Sequence, residues 1–181
     1  MKTINEIVPS EIDMANVNYD FNTELTSKLD SLDSDFNQDL INEIVLWKVN
    51  RYAPVDNYTL ELINKIKKSD KVIDHALTGE ILLKLLNKDQ KGIRLAMASA
   101  ILRFKNPKIY QIIDQRVYRF IYGKELKYSM TNLNEQIVLY LDYLNRLRFL
   151  CTKHNVRFEQ ADRIFYTLDK LYNFNTHLKG Y

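Results

Sequence analysis

The sequence predicts an all-α fold, and three observations support this. The 181 residues include only four glycines and three prolines, about 4 % of the chain, where about 12 % is typical. A β-sandwich or barrel needs a turn about every 8–12 residues, which so few turn-forming residues do not supply. A hydrophobic content of 46 %, with 12 % aromatic residues, is enough for a core and argues against disorder throughout. We therefore expect one mostly helical domain.

The amino-terminal part begins with a weakly patterned stretch and continues into two helices. Residues 1–20 lack a clear apolar period, and we expect an extended arm there. Sparse apolar positions over 22–32 predict a short amphipathic helix, and a regular stripe over 39–51 predicts a strong one. Pro54 ends this second helix, because proline does not continue a helix.

Capping residues and chain breakers define the middle helices. Asp56 or Asn57 is expected to cap the next helix, whose inward face is formed by three apolar residues, Leu60, Ile63 and Ile66. The Thr78-Gly79 pair is expected to separate two helices, over 72–77 and 80–86. Four helices are then predicted, over 95–104, 114–122, 133–154 and 158–171.

The net charge of +3 is unevenly distributed along the chain. Residues 1–38 hold two lysines against eight acidic residues, a net charge of −6, so residues 39–181 carry +9. Within these, residues 84–127 hold eleven basic and three acidic residues, a net charge of +8. We therefore distinguish an acidic arm with a short helix, 1–38, from a basic helical domain, 39–181. By itself such a concentration of charge is usually a solvated face, and it supports a polyanionic partner only together with the motif described below.

Composition and motifs argue against several other classes of protein. A single cysteine, Cys151, leaves no disulfide framework and no four-cysteine metal site, which fits a reducing compartment; we expect a buried thiol. No apolar run reaches the 18 residues of a membrane span, and no signal peptide is visible. His75, His154 and His177 lack metal-ligand spacing, and phosphate-loop and dinucleotide motifs are missing. We expect a soluble, cytoplasmic protein of bacterial type without metal or cofactor.

The most informative stretch is 82–123. The run KGIRLAMASAILRF begins at Lys91, a loop with Pro107 follows, and IIDQRVYR begins at Ile112. This order resembles the core signature of the helix-hairpin-helix DNA glycosylase superfamily, which includes endonuclease III. The signature is a Gly-hydrophobe-Gly hairpin, a helix rich in small residues, a Pro-containing loop and hydrophobe-Asp-x-x-hydrophobe-x-Arg. Gly92 and Asp114 are 22 positions apart, in agreement with the family's spacing.

The resemblance implies a two-lobed helical fold and a DNA repair hydrolase. By resemblance, Gly92 forms the phosphate-binding hairpin, since a turn that opens a helix presents unpaired backbone N–H groups. Asp114 takes the catalytic role, stabilising an oxocarbenium-like sugar or orienting water when a nucleotide is flipped into the cleft. Basic residues around the hairpin would contact the duplex backbone without reading its sequence: Lys91, Arg94, Arg116 and Arg119.

The chain departs from the family pattern at several positions. Arg94 replaces the second hairpin glycine, where a non-glycine residue at positive φ costs about 1 kcal/mol. Gln90-Lys91 replaces the usual Leu-Pro, and the cysteine cluster of endonuclease III is missing. Ala96 stands where bifunctional members place their Schiff-base lysine. If the chain is a glycosylase, it is therefore monofunctional.

Each candidate residue also has a purely structural interpretation. Asp114 follows a proline-containing loop and precedes a predicted helix, so it can simply be an N-cap. Gly92 can be an ordinary turn glycine, and the arginines can form a solvated helix face. The small residues over 96–100 are typical of tight helix packing.

Two further segments carry candidate residues. By resemblance, the 39–51 helix corresponds to the first helix that lines the base pocket, where Lys48 and Arg51 could touch DNA, although Trp47 is expected in the core. Asp162 could line the same cleft as Asp114 or belong to a structural ion pair.

Three functions remain open from the sequence. The first is a DNA-binding protein that resembles a monofunctional glycosylase. The second is a non-catalytic helical DNA-binding module. The third is a protein-interaction module, in which the acidic arm 1–38 covers the basic surface or binds a protein partner.

Overall fold

The computed structural model describes residues 23–31, 36–49, 53–176 and 178. Within these ranges the chain forms eight α-helices and no β-strand, so the predicted all-α fold is confirmed. The helices are α1 Thr23–Asp30, α2 Gln38–Lys48, α3 Asn57–Lys65, α4 His75–Leu85, α5 Leu95–Lys105, α6 Gln115–Tyr122, α7 Leu133–His154 and α8 Ala161–Tyr172, the last preceded by a 3₁₀ turn, Phe158–Gln160. The chain divides into two compact units, Met1–Tyr52 and Ala53–Tyr181, whereas the charge pattern separates an arm at 38/39.

The first unit contains α1 and α2. The indole Nε1 of Trp47 donates to Thr26 Oγ1 at 2.8 Å, and Lys28 pairs with Glu43, so both contacts join the two helices. Trp47 is partly exposed rather than fully in a core. Asn37 caps α2 by accepting from Leu40 N, which explains a helix start close to the expected one.

The second unit surrounds a core contributed by α3 to α8. Apolar residues recur every three or four positions on each inner face, which is what an amphipathic helix needs to bury one side. Burial of each such side chain stabilises the fold by about 1.5–3 kcal/mol. Members that are no more than 1 % exposed include Leu62, Ile81, Leu82, Leu85, Leu95, Leu102, Ile109, Ile113 and Leu144.

Side-chain caps begin most helices of this unit. Asp56 caps α3 by accepting from Thr59 N at 2.9 Å, as one of the two predicted alternatives. Asp74, Asp114 and Asn132 cap α4, α6 and α7 in the same way. Such caps stabilise a helix by about 1 kcal/mol each. The starts of α6 and α7 are within one residue of the expected ones, whereas the Asp74 cap places the start of α4 at His75 and not at the expected residue 72.

Two local expectations are wrong. Helix α4 runs without interruption through Thr78 and Gly79, because the buried Thr78 hydroxyl lies 2.6 Å from the Tyr110 hydroxyl and the helix packs against the core. This packing outweighs the cost of one helical glycine, about 1 kcal/mol. Leu60 is 43 % exposed, because α3 directs Leu62 inward in its place.

Candidate functional site

A turn before α5 carries the residues expected to hold a phosphate. Gly92 has a φ of +78°, in the left-handed region that glycine adopts without penalty. Ile93 and Leu95 are buried and anchor the turn, while Lys91 and Arg94 are exposed. Arg94 precedes α5 with a φ of −120°, which is extended backbone. It therefore avoids the strain expected for a non-glycine residue at the second hairpin position.

Two buried tyrosines hold the segment that leads to Asp114. Tyr140 donates to the carbonyl oxygen of Gln111 at 3.0 Å, and Tyr143 donates to that of Ile112 at 2.7 Å. Both side chains are fully buried on α7. Burial raises the pKa of each hydroxyl well above its usual value, so both remain protonated donors. The backbone just before Asp114 is thus fixed from one side by α7.

Side chains of α5 and of the segment itself fix the same backbone from the other side. Ser99 Oγ accepts from Ile113 N at 3.1 Å and donates to Ala96 O at 2.7 Å. The fully buried Gln111 donates through Nε2 to Pro107 O at 2.8 Å. The small size of Ser99 allows this close approach, as expected for a stripe of small residues.

Asp114 lies at the start of α6 and caps it. Its Oδ1 accepts from the backbone N–H groups of Arg116, at 2.7 Å, and Val117, at 3.4 Å. The structural interpretation of Asp114 as an N-cap is therefore correct. The residue is partly exposed.

Asp114 lines a cavity of about 310 Å³, which lies between the start of α6 and the start of α8. Such a volume is at the lower end of the range for small-molecule sites, about 300–1,000 Å³. Its lining combines apolar and aromatic surface with two carboxylates and one guanidinium. The lining residues are Ile112, Asp114, Val117, Asp162, Arg163, Tyr166 and Thr167.

The structure brings Asp114 and Asp162 to one cavity, as one of the two sequence interpretations expected. Asp162 also forms an ion pair, since its Oδ2 lies 3.6 Å from the Nε of Arg103. The pair is buried, with side chains only 9 % and 5 % exposed for arginine and aspartate. Asp162 Oδ1 accepts from Arg163 N at 2.7 Å. Asp162 therefore lines the cavity and also belongs to an ion pair, whose partner is Arg103 and not the neighbouring Arg163.

Two arginines expected to contact DNA bind a carboxylate of this protein. Arg119 is 8 % exposed and donates to Asp169 through Nε and Nη2, at 2.9 and 2.6 Å. Arg116 Nη1 lies 3.4 Å from the same carboxylate. Burial alone raises the pKa of Asp169, but hydrogen bonds from Arg119 and Asn173 bring it below its usual value. Arg119 thus fastens α6 to α8.

The remaining predicted contacts are distributed over both units. Lys48 is exposed at the end of α2, in the first unit. Arg51 lies outside the described residues. Lys91 and Arg94 beside the turn are exposed, and so are five other lysines of the basic segment: Lys84, Lys88, Lys108, Lys124 and Lys127.

Sequence reasoning missed two residues of the cavity, Arg163 and Tyr166. Both are exposed on α8 and line the cavity that contains Asp114. Their spacing of three positions on a helix places them on one face. That signal was visible in the sequence, but α8 lies outside the basic segment 84–127.

Comparisons with known proteins add no family assignment. No protein-family model, no curated protein and no solved structure matches this chain. Over the residues that the structure describes, no helix is both long and apolar enough to cross a membrane. In the same ranges, no group of three His, Cys, Asp or Glu side chains could hold a metal ion, and Cys151 is buried.

Proposed function

We propose that this chain is a DNA-binding protein of the helix-hairpin-helix glycosylase type, a monofunctional hydrolase that excises a flipped base. One observation carries the proposal: Asp114, at the position that the resemblance assigns to catalysis, lies at the wall of a cavity of about 310 Å³. A cap residue buried away from any cavity would have favoured the structural interpretation alone.

The chemistry needs a carboxylate that is held still beside the sugar of the flipped nucleotide. The two backbone N–H groups that donate to Asp114, from Arg116 and Val117, fix the position of its carboxyl group at the start of α6. An ionised carboxylate stabilises an oxocarbenium-like sugar or orients the attacking water. Electrostatic groups of this kind are effective when they are fixed before the reaction begins, and the tyrosine anchors on α7 fix this one.

In this proposal, the turn at Gly92 binds the phosphate backbone of the DNA. The exposed side chains of Lys91 and Arg94 lie beside a turn whose glycine has positive φ, and no side chain caps the first turn of α5. Backbone N–H groups at the start of a helix bind anions. Arg119 is left out of this contact set, because its donors are used within the protein.

A base-release assay on the full chain tests the proposal. Labelled duplexes that each contain one damaged or modified base are incubated with the protein, and strand scission by alkali reveals abasic sites. Asp114→Asn keeps a good N-cap but removes the charge, so we expect base release to fall about 100-fold or more. Asp74→Asn alters the cap of α4 in the same way and serves as the matched control. Base release from no lesion, or an Asp114→Asn protein with wild-type rate, contradicts the catalytic function.

A second candidate keeps DNA binding without catalysis. It is favoured by the capping bonds of Asp114, which account for this residue without any reaction. Both candidates expect affinity for a duplex to fall steeply with salt, because each neutralised phosphate contributes a slope of about −0.9. Arg94→Gln should reduce that slope by about one unit. A flat salt response contradicts both candidates.

A further inference from the structure

Helix α8 separates its charges onto two faces. Its two acidic residues, Asp162 and Asp169, are buried and paired with arginines from α5 and α6. Its two basic residues, Arg163 and Lys170, are exposed. Each pair is spaced by seven positions, which is about two helical turns. A helix with no net charge in the sequence therefore presents a positive surface.

The exposed face also carries an aromatic ring. Tyr166 lies between the two basic residues in the chain, at a spacing that places all three on one side of the helix. Lys170 Nζ is 5.7 Å from the centre of this ring, and the guanidinium of Arg116 is 5.9 Å from it. We call Arg163, Tyr166 and Lys170 the α8 face.

The α8 face borders the Asp114 cavity, since Arg163 and Tyr166 are among its lining residues. Among the described residues, no carboxylate pairs with the side chains of Arg163 or Lys170. The positive charge of Arg163 and Lys170 is therefore available beside the cavity. By contrast, Arg103 and Arg119 of the basic segment 84–127 are buried.

We propose that the α8 face binds a nucleic-acid strand at an unpaired nucleotide, with a base stacked on the Tyr166 ring and phosphates contacted by Arg163 and Lys170. This inference rests on the proposed DNA binding and extends it to a surface outside the helix-hairpin-helix resemblance. In the free protein the Lys170 ammonium contacts the Tyr166 ring, and such a contact is weak at an exposed site. A base that stacks on the ring displaces this ammonium, which can then contact a phosphate.

The chemistry of the face favours a nucleic acid over an acidic peptide. Any polyanion would satisfy the two basic side chains, but in a nucleic acid every residue carries both a phosphate and a flat base that can stack on the aromatic ring. Aromatic rings that alternate with basic residues are typical of surfaces that bind unpaired nucleotides. The Asp114 cavity lies beside the Tyr166 ring, so an unpaired nucleotide at this face is also close to the cavity.

Binding measurements on the full chain test this inference. The probes are a fluorescein-labelled duplex with one unpaired adenine and the same duplex fully paired. Tyr166→Leu should weaken binding of the unpaired probe about 10-fold and of the paired probe less than about twofold. Arg163→Gln and Lys170→Gln should each reduce the salt slope by about one unit.

Matched variants on exposed positions outside the face serve as controls. Tyr172→Leu removes a 70 % exposed aromatic ring from the same helix, and Lys153→Gln removes an exposed charge from α7; neither should alter either affinity. If the wild-type chain binds neither probe, the proposed function fails and this inference with it. If it binds both probes and Tyr166→Leu leaves them unchanged or weakens them equally, only the inference is overturned. Stronger binding of an acidic peptide than of either duplex also overturns it.

Discussion

Arg119 and Asp169 form a two-pronged salt bridge in which Nε donates to Oδ1 at 2.9 Å and Nη2 donates to Oδ2 at 2.6 Å. The third nitrogen is also used, since Nη1 of Arg119 donates to Thr176 O at 2.8 Å. Asn173 Nδ2 completes the site by donating to Oδ1 at 2.9 Å. The buried carboxylate of Asp169 thus links α8 to α6 through Arg119 and to the residue that follows α8, Asn173. Because α6 and α8 both line the Asp114 cavity, the same salt bridge holds the two sides of the cavity together.

Removal of the Asp169 charge should destabilise the protein strongly. Asp169→Asn leaves the Arg119 guanidinium buried without its counter-charge, and loss of one partner of a buried pair costs about 3–5 kcal/mol. Urea denaturation followed by circular dichroism measures the free energy of unfolding. Glu125→Gln, which breaks an exposed pair with Lys127, is the control and should cost less than about 1 kcal/mol. Equal losses in both variants would contradict the assignment.

The same salt bridge predicts a dependence of stability on pH. The pKa of Asp169 is lower in the folded protein than the usual value of 3.8, so the unfolded chain takes up the proton first. The contribution of the Asp169 carboxylate to the free energy of unfolding is therefore complete above about pH 5. It is lost as the pH falls through the pKa of Asp169 in the folded protein. The difference in unfolding free energy between wild type and Asp169→Asn should narrow between about pH 5 and about pH 3. A difference that stays constant over that range would count against a lowered pKa.

Removal of one tyrosine hydroxyl should measure how much the hydrogen bonds to the backbone before Asp114 contribute to stability. Tyr143→Phe leaves the carbonyl of Ile112 without its donor, which costs about 1–3 kcal/mol of unfolding free energy. Tyr128→Phe is the control, because the half-buried Tyr128 makes no hydroxyl hydrogen bond within the described ranges. If base release is detected, Tyr143→Phe should also lower its rate, since Asp114 is then less well held. A control variant that loses as much stability would refute the role of the hydrogen bond.

The same substitution at two glycines should have opposite effects. Gly92→Ala places a β-carbon at a φ of +78° and should destabilise by about 1–2 kcal/mol. Gly79→Ala lies inside α4, where an added β-carbon meets no atom within 4 Å, and should stabilise by about 0.5–1 kcal/mol. Thermal unfolding of the two variants under one buffer measures both shifts. A stabilising Gly92→Ala would exclude the left-handed turn.

Periodicity and caps are local, and they were sufficient to predict most helices. The predicted range 133–154 agrees with the bounds of α7, and the predicted caps Asp56 and Asp114 agree with the structure. The wrong break at Gly79 came from a local rule that tertiary packing overrides. Local reasoning also predicted that Asp114 follows a loop and begins a helix, which the structure confirms.

The direction of the charged side chains was not predictable in this way. Arg103 and Arg119 belong to the most basic segment, yet each is turned inward by a carboxylate more than 45 positions further along the chain. Such pairing depends on how α8 packs against α5 and α6, and no local pattern reports it. For the same reason, the cavity and the burial of Asp162 and Asp169, which leaves the α8 face positive, were not predictable from the sequence.

The hydrogen bonds that Ser99, Tyr140 and Tyr143 make to the backbone of residues 111–113 affect how fast backbone amides in this segment exchange with solvent. This stretch belongs to no helix, but Ile113 N is fully buried with Ser99 Oγ as its acceptor. An amide of this kind exchanges only when the surrounding core opens. In deuterated water, the peptide that precedes Asp114 should therefore retain protons as long as the central turns of α7, although by secondary structure alone it is a loop.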